Sequence, residues 1–127
     1  MRRLLVLAVA VLAVVTVTAA APASRAGRSH LCRSLLPLTG NPIAPSVRAA
    51  LRFTRASDRP RVTSAELATW DRGRGPEAKA ECGARGWRRT VVVYITLRAL
   101  EPSASLSEKV FFVGRLKAGY RVWQVVH

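Results

Sequence analysis

Few side chains in this chain have the types and spacing that chemistry needs. The two histidines, His30 and His127, stand at opposite ends, and His127 closes the sequence, where fraying is the usual expectation. The carboxylates are Asp58, Glu66, Asp71, Glu77, Glu81, Glu101 and Glu108. They are scattered, and none falls inside the strands expected below, so they read as solvated counter-charges for arginine. Glycoside chemistry needs two convergent carboxyls at a set distance, and nothing in their spacing singles out a pair. Ser103, Ser105 and Ser107 sit in Pro-Ser-Ala-Ser-Leu-Ser. A nucleophilic serine is usually held in a shaped turn such as G-x-S-x-G, so this run reads as turn chemistry. A Cys32–His127 nucleophile pair would need a protected thiol and an orienting group, and neither is visible. Two distant cysteines and two distant histidines do not make a zinc set. The expectation is no catalytic residue, no metal and no cofactor.

The cysteines have a simpler use. The chain opens Met1-Arg2-Arg3, then runs from Leu4 to Ala21 without a charge, a glycine or a proline. Small residues follow, and Ala21-Pro22-Ala23 fits an A-x-A cleavage site. Residues 1–23 therefore read as a signal peptide, with cleavage after Ala23 and, second, after Ala26. The alternative is an uncleaved anchor, since the apolar run is near the lower length for crossing a bilayer. An exported chain meets oxidising conditions, so Cys32 and Cys82 are expected to form a disulfide. Closing a loop of that size is worth about 4 kcal/mol in the chain-entropy model. The expected address is secreted or extracytoplasmic, in the cell envelope, with no transmembrane segment in the mature form.

Charge is the second strong signal. The 127 residues carry 21 Lys and Arg against 7 Asp and Glu, a net charge of +14. Arg2 and Arg3 leave with the signal peptide, so the net charge falls to +12 over the remaining 104 residues. Arginine far outnumbers lysine, and alanine and valine are common, which suggests a high-GC bacterial genome. Codon bias alone is one source of the basic excess. The other is an anionic partner, because such an excess raises affinity for polyanions without specifying a fold. Arg88 and Arg89 before one strand, and Arg115 and Arg121 beside a turn, are the candidate anion contacts. Arg suits phosphate because its planar fork donates two hydrogen bonds. Nucleic acid is not expected: the address is wrong, and no binding motif interleaves aromatic with basic residues.

These residues must be positioned by a single small domain. Residues 24–43 are rich in Ser, Pro, Gly and Arg and read as an extended lead-in tied down by Cys32. The domain spans 44–127. A helix is expected from Pro45, with Val47, Ala50, Leu51 and Thr54 on one face and Arg48, Arg52, Arg55 and Arg59 in a basic stripe. Pro60 ends it. Thr63-Ser64-Ala65-Glu66 matches a capping box and predicts a short helix through Leu67 and Trp70. Pro76 suits the first turn of another, Glu77 to Cys82, stopped by Gly83. An irregular course fits residues 63–83 equally well. Three strands follow. Over 89–99, Val91, Val93, Ile95 and Leu97 point one way, and Thr90, Val92, Tyr94, Thr96 and Arg98 the other. The next strands are 109–116 and 120–127, joined by a three-residue loop, Lys117-Ala118-Gly119, with Gly119 left-handed.

That hairpin predicts Val113 opposite Trp123, Phe111 opposite Val125 and Arg115 opposite Arg121. One face then holds Phe111, Val113, Trp123 and Val125, and the other Val110, Phe112, Leu116, Tyr120, Val122 and Val126. Both are apolar, whereas a half-wet sheet alternates. Helices are expected to cover one face. The other requires the sheet to curl on itself, a ligand, or a second subunit.

Helices followed by a long-stranded antiparallel sheet ending Gly119-Tyr120-Arg121-Val122-Trp123-Gln124-Val125-Val126 resemble the small exported bacterial domains of nuclear-transport-factor-like type. These cone-shaped α+β domains share a helix-on-curved-sheet plan with cystatin-like domains. The resemblance covers residues 44–127. It implies an α+β fold: one or more N-terminal helices packed on a curved antiparallel sheet of at least three strands. It also implies a pocket between helix and sheet, with Phe53, Tyr94 and Trp123 as lining. The Asp–His pair of enzyme members has no counterpart here, nor has the Gln-Val-Gly-type turn of cystatins. The functional expectation is thus a secreted, non-enzymatic domain. It would bind a protein partner or another copy through a sheet face, or an anionic envelope polymer or lipid headgroup. The alternative is a small-molecule-binding or catalytic cone domain using that pocket.

Overall fold

The computed structural model describes residues 29–101 and 106–127, with side chains from Leu31 onward. The signal segment, its cleavage site, the His30 side chain, Ser103 and Ser105 lie outside the described residues. The elements are α1 (Ser29–Ser34), α2 (Ile43–Arg52), a 3-10 turn (Ala56–Asp58), β1 (Pro60–Leu67), α3 (Gly75–Trp87), β2 (Thr90–Leu97), β3 (Glu108–Leu116) and β4 (Gly119–Val126). The strands form one antiparallel sheet in the order β1-β2-β3-β4. The fold is α+β, with α3 inserted between β1 and β2.

β2 is the centre. Its run of Val and Ile buries both faces, and Val91, Val92, Val93 and Ile95 are all fully enclosed. The alternation expected from the sequence holds: Val91, Val93, Ile95 and Leu97 share one core with Phe111 and Val113, while Val92 packs with Val110, Phe112 and Trp123 in the other. α2 covers the first core through Ala49 and Ala50. α1 through Cys32, Leu35 just after it, and α3 through Ala78 cover the second. Helices therefore lie on both faces. The expected need for a ligand or a second subunit on one face disappears, because α1 and α3 supply the missing layer.

Three local readings are corrected. The 24–43 lead-in is not wholly extended, since it contains α1. Residues 60–67 are a strand, not a capped helix. Pro60, Val62, Ala65 and Leu67 are the less exposed positions, and the register slips between Val62 and Ser64. Thr63 is thus the extra residue of a β-bulge, and that extra residue broke the alternation a sequence reading relies on. α2 ends at Arg52, with the Phe53 N–H on Ala50 O (3.0 Å) and the Thr54 hydroxyl donating to Leu51 O (2.8 Å). Arg55 and Arg59 therefore leave the basic stripe. Gly83 marks a kink (φ 70°) rather than a stop, and the helix resumes to Trp87.

The hairpin shows a fourth correction. Val110↔Val126 and Phe111↔Val125 pair as expected, but Val113 pairs with Val122, Arg115 with Tyr120, and Leu116 with Gly119. The loop is two residues long, and a bulge at Trp123 absorbs the difference. Trp123 moves to the α3 side, where its ring stacks on Phe112 at 5.2 Å. Tyr120 and Val122 move to the α2 side. Gly119 has the positive φ expected of it, at 114°.

The lead-in is fastened along the α3 face. Cys32 and Cys82 form the expected disulfide, with Cα atoms 5.3 Å apart. Leu35 enters the core over Gly114, where any Cβ would collide with its side chain. The Leu36 N–H donates to Arg115 O (2.8 Å), and Arg89 Nη1 donates to Leu35 O (2.6 Å). No helix among the described residues is long and apolar enough to cross a membrane.

Candidate functional site

The most distinctive surface forms where α2 stops short. Arg52 closes the helix on its solvent side, one turn from Arg48, and both are exposed. Phe53 follows. Its ring meets buried Phe111 edge-on at 6.1 Å, yet 63% of the residue is exposed. Across from it runs β4, the edge strand that lies nearest α2. The bulge at Trp123 turns Tyr120 and Val122 toward α2, while Arg121, between them in sequence and opposite Gly114, is exposed on the edge strand. Ala49, Arg52, Phe53, Tyr120, Arg121 and Val122 line a groove of about 310 Å³. No acid lines it, and neither arginine has an ion-pair partner among the described residues. Arg121 Nη1 donates only to its neighbour's carbonyl, Tyr120 O (3.1 Å).

Phe53 is a ridge between two depressions. On its other side is an open cleft of about 510 Å³, floored by Leu97, Phe111 and Val125 and rimmed by Arg55, Asp58, Lys109 and His127. An apolar floor with two cations, Arg55 and Lys109, against one carboxylate, Asp58, on its rim could take an anion with an apolar part.

The candidate anion contacts separate. Arg89 and Arg115 serve the fold: besides the Arg89 bond to Leu35 O, Arg115 Nη1 donates to Pro37 O (3.1 Å). Arg88 is exposed at the end of α3. Arg121 alone joins the groove. The predicted pocket lining also separates. Phe53 is on the α2 side, and Tyr94 and Trp123 are on the α3 side, so the three do not line one cavity. The bulge takes Trp123 away from Phe53, and Tyr94 lies on the other face by the alternation of β2 itself. Arg52 and Tyr120 were missed as a pair because only the slipped register brings β4's Tyr120 onto the α2 face.

A second polar cluster holds the β1–α3 loop. Tyr94 donates its hydroxyl hydrogen to Asp71 Oδ2 (2.8 Å), and the Arg74 N–H points to the Tyr94 oxygen (3.2 Å). Burial, then the hydrogen bond to Asp71 and its negative charge, push the phenol up to about 12. Asp71 also accepts from the N–H groups of Gly73 and Arg74, and Arg74 pairs with Glu77 at 3.0 Å. These bonds hold the loop, and Arg74 Nη2 ties it to the end of β4 through His127 O (3.1 Å), so the cluster reads as structural. Trp87, with Nε1 on Ala68 O (2.9 Å) and Lys79 4.9 Å above its ring, is likewise a fastening. No group of His, Cys, Asp and Glu among the described residues is arranged to hold a metal.

Comparison of the chain with protein-family models, with curated proteins and with solved structures gave no match.

Proposed function

We propose that this chain is an exported, non-enzymatic domain that binds an anionic component of the cell envelope through the Arg52–Phe53–Arg121 surface. The observation that carries the reading is the groove itself: its lining joins an exposed aromatic ring to Arg52 and Arg121, two arginines with no ion-pair partner among the described residues, and includes no acid. Arginine forks match phosphate geometry, and an exposed ring gives a bound anion an apolar contact. The leader-like residues 1–23 and the Cys32–Cys82 bridge both favour export. The α+β plan is compatible with the cone-shaped resemblance. The test is co-sedimentation of the mature domain with vesicles of anionic and of zwitterionic phospholipid, and with a phosphate-bearing wall polymer. Binding to anionic vesicles or polymer, but not to zwitterionic vesicles, is expected. Indifference to every anionic target would remove the proposal.

A second reading rests on the 510 Å³ cleft. Lys109 and Arg55 over Leu97, Phe111 and Val125 would hold a small amphipathic anion. Titration with a fluorescent fatty acid checks it, and Lys109→Glu should abolish any binding seen.

A further inference from the structure

Strand β1 is an edge of the sheet, and its side chains are self-complementary about its midpoint. Counted outward from the point between Thr63 and Ser64, the pairs are Thr63 with Ser64, Val62 with Ala65, Arg61 with Glu66, and Pro60 with Leu67. That is hydroxyl with hydroxyl, apolar with apolar, cation with anion, and apolar with apolar. Exposure follows the same symmetry: Pro60, Val62, Ala65 and Leu67 are half-buried, and Arg61, Thr63, Ser64 and Glu66 are exposed.

In a regular strand this match would be useless. Val62 and Ala65 are three apart and would point to opposite faces. The bulge at Thr63 corrects that, because Val62 pairs with Ile95 and Ala65 with Val93, both on the α2 face. The backbone agrees. Ala68 N–H donates to Thr90 O (2.9 Å), and Arg59 O accepts from Arg98 N–H (3.3 Å), so both ends of β1 are fixed toward β2. Alternating inward from each end, with both bulge residues turned to β2, leaves the N–H groups of Val62, Ala65 and Leu67 on the open edge. The carbonyl of Leu67 is already taken by the N–H groups of Trp70 (2.9 Å) and Asp71 (3.0 Å). In the symmetric pairing that carbonyl would face Pro60 of a second copy, which has no N–H to offer.

Beside this edge, Pro42, Ile43, Ala65, Leu67 and Trp70, with Glu66 as the one charged member, line a mostly apolar groove of about 420 Å³, and Trp70 is 75% exposed. The same pairing brings Val62 and Pro60 of a second copy against Ala65 and Leu67, at the mouth of this groove.

We propose that two copies of this chain pair antiparallel through β1, about a two-fold axis between Thr63 and Ser64, into one continuous sheet. Arg61 of each copy then faces Glu66 of the other. This inference is independent of the anion-binding reading and uses a different edge of the sheet.

Light scattering coupled to size exclusion, and sedimentation over a concentration series, test it. The mature domain is expected to dimerise. Arg61→Glu and Glu66→Arg each place like charges opposite one another and should raise the dimer dissociation constant by about tenfold or more. The double variant Arg61→Glu with Glu66→Arg restores opposite charges and should recover the dimer. Ala65→Pro removes an outward N–H and should give a monomer. Circular dichroism reports whether that variant keeps its fold, and if it does not, the charge-reversal set carries the test alone. A monomer at every concentration reached would overturn the proposal. So would a dimer indifferent to both single reversals, or a double reversal no better than the singles.

Discussion

Replacing Cys32 and Cys82 together by alanine should remove a large part of this domain's stability. The bridge spans 50 residues. In the chain-entropy model, freeing a loop of that size gives the unfolded chain about 4 kcal/mol at 25 °C. A domain of this size has about 5–15 kcal/mol in all. The folded state loses less, because α1 keeps Leu35 in the core and the Arg89 and Arg115 bonds to the lead-in carbonyls. However, α1 has six residues and cannot hold itself together unaided. The expected loss is therefore about 3–4 kcal/mol. With a urea slope of about 1–2 kcal/mol/M, the unfolding midpoint should fall by roughly 1.5–4 M. Equilibrium unfolding in urea, followed by tryptophan fluorescence, measures it. Reduction of the wild-type protein should reproduce the shift. A midpoint within about 0.5 M of wild type would refute the reasoning, because the unfolded chain would then gain little from release.

The remaining predictions concern single contacts. Gly114→Ala would drive a methyl into Leu35 and should cost about 1–3 kcal/mol. Combined with Leu35→Ala it should cost less than the sum of the two, read from urea midpoints. Ser46→Ala removes a buried hydroxyl without a hydrogen-bond partner in α2 and should be neutral or stabilising by about 1 kcal/mol in the same assay. Tyr94 ionises near 12 in the folded protein against 10.0 for the ordinary phenol. Its contribution is complete below pH 10 and is lost as the pH rises from 10 to 12, because the unfolded chain releases that proton first. Tyr94→Phe should lower stability at pH 8 and flatten the fall above pH 10. An ultraviolet titration should show one phenol ionising late, and that component should be absent from the variant.

The parts of this molecule legible in the sequence are those that depend on short range. The Val91–Leu97 alternation specifies a central strand because its β-branched residues suit a pleated surface buried on both sides. The disulfide follows from two cysteines and an export-like leader. Both bulges escaped, at Thr63 and at Trp123, since a single extra residue is set by tertiary fit and reverses the facing of everything beyond it. The first disguised β1 as a helix start, and the second put Trp123 on the wrong face. The candidate groove inherits the second error. Phe53 and Arg52 could be seen at a helix end, but Tyr120 joins them only through the slipped register. α1 was hidden because Ser29–Ser34 is only six residues long, too short to show a helical period in the sequence. The second apolar face was legible as a face needing cover, and what covers it, α3 with Leu35, was not.

The central claim is that anion binding is localised rather than a consequence of net charge. Binding of the mature domain to anionic vesicles over a salt series tests this, with the double variant Arg52→Glu and Arg121→Glu beside the control Arg88→Glu. Adding Arg85→Glu to Arg88→Glu makes the control a double reversal with the same total charge as the groove variant. The account predicts that the groove variant loses binding and most of its salt dependence, while the matched control stays close to wild type. Equal losses in the two charge-matched doubles would contradict it, because the arginines would then act only through their number.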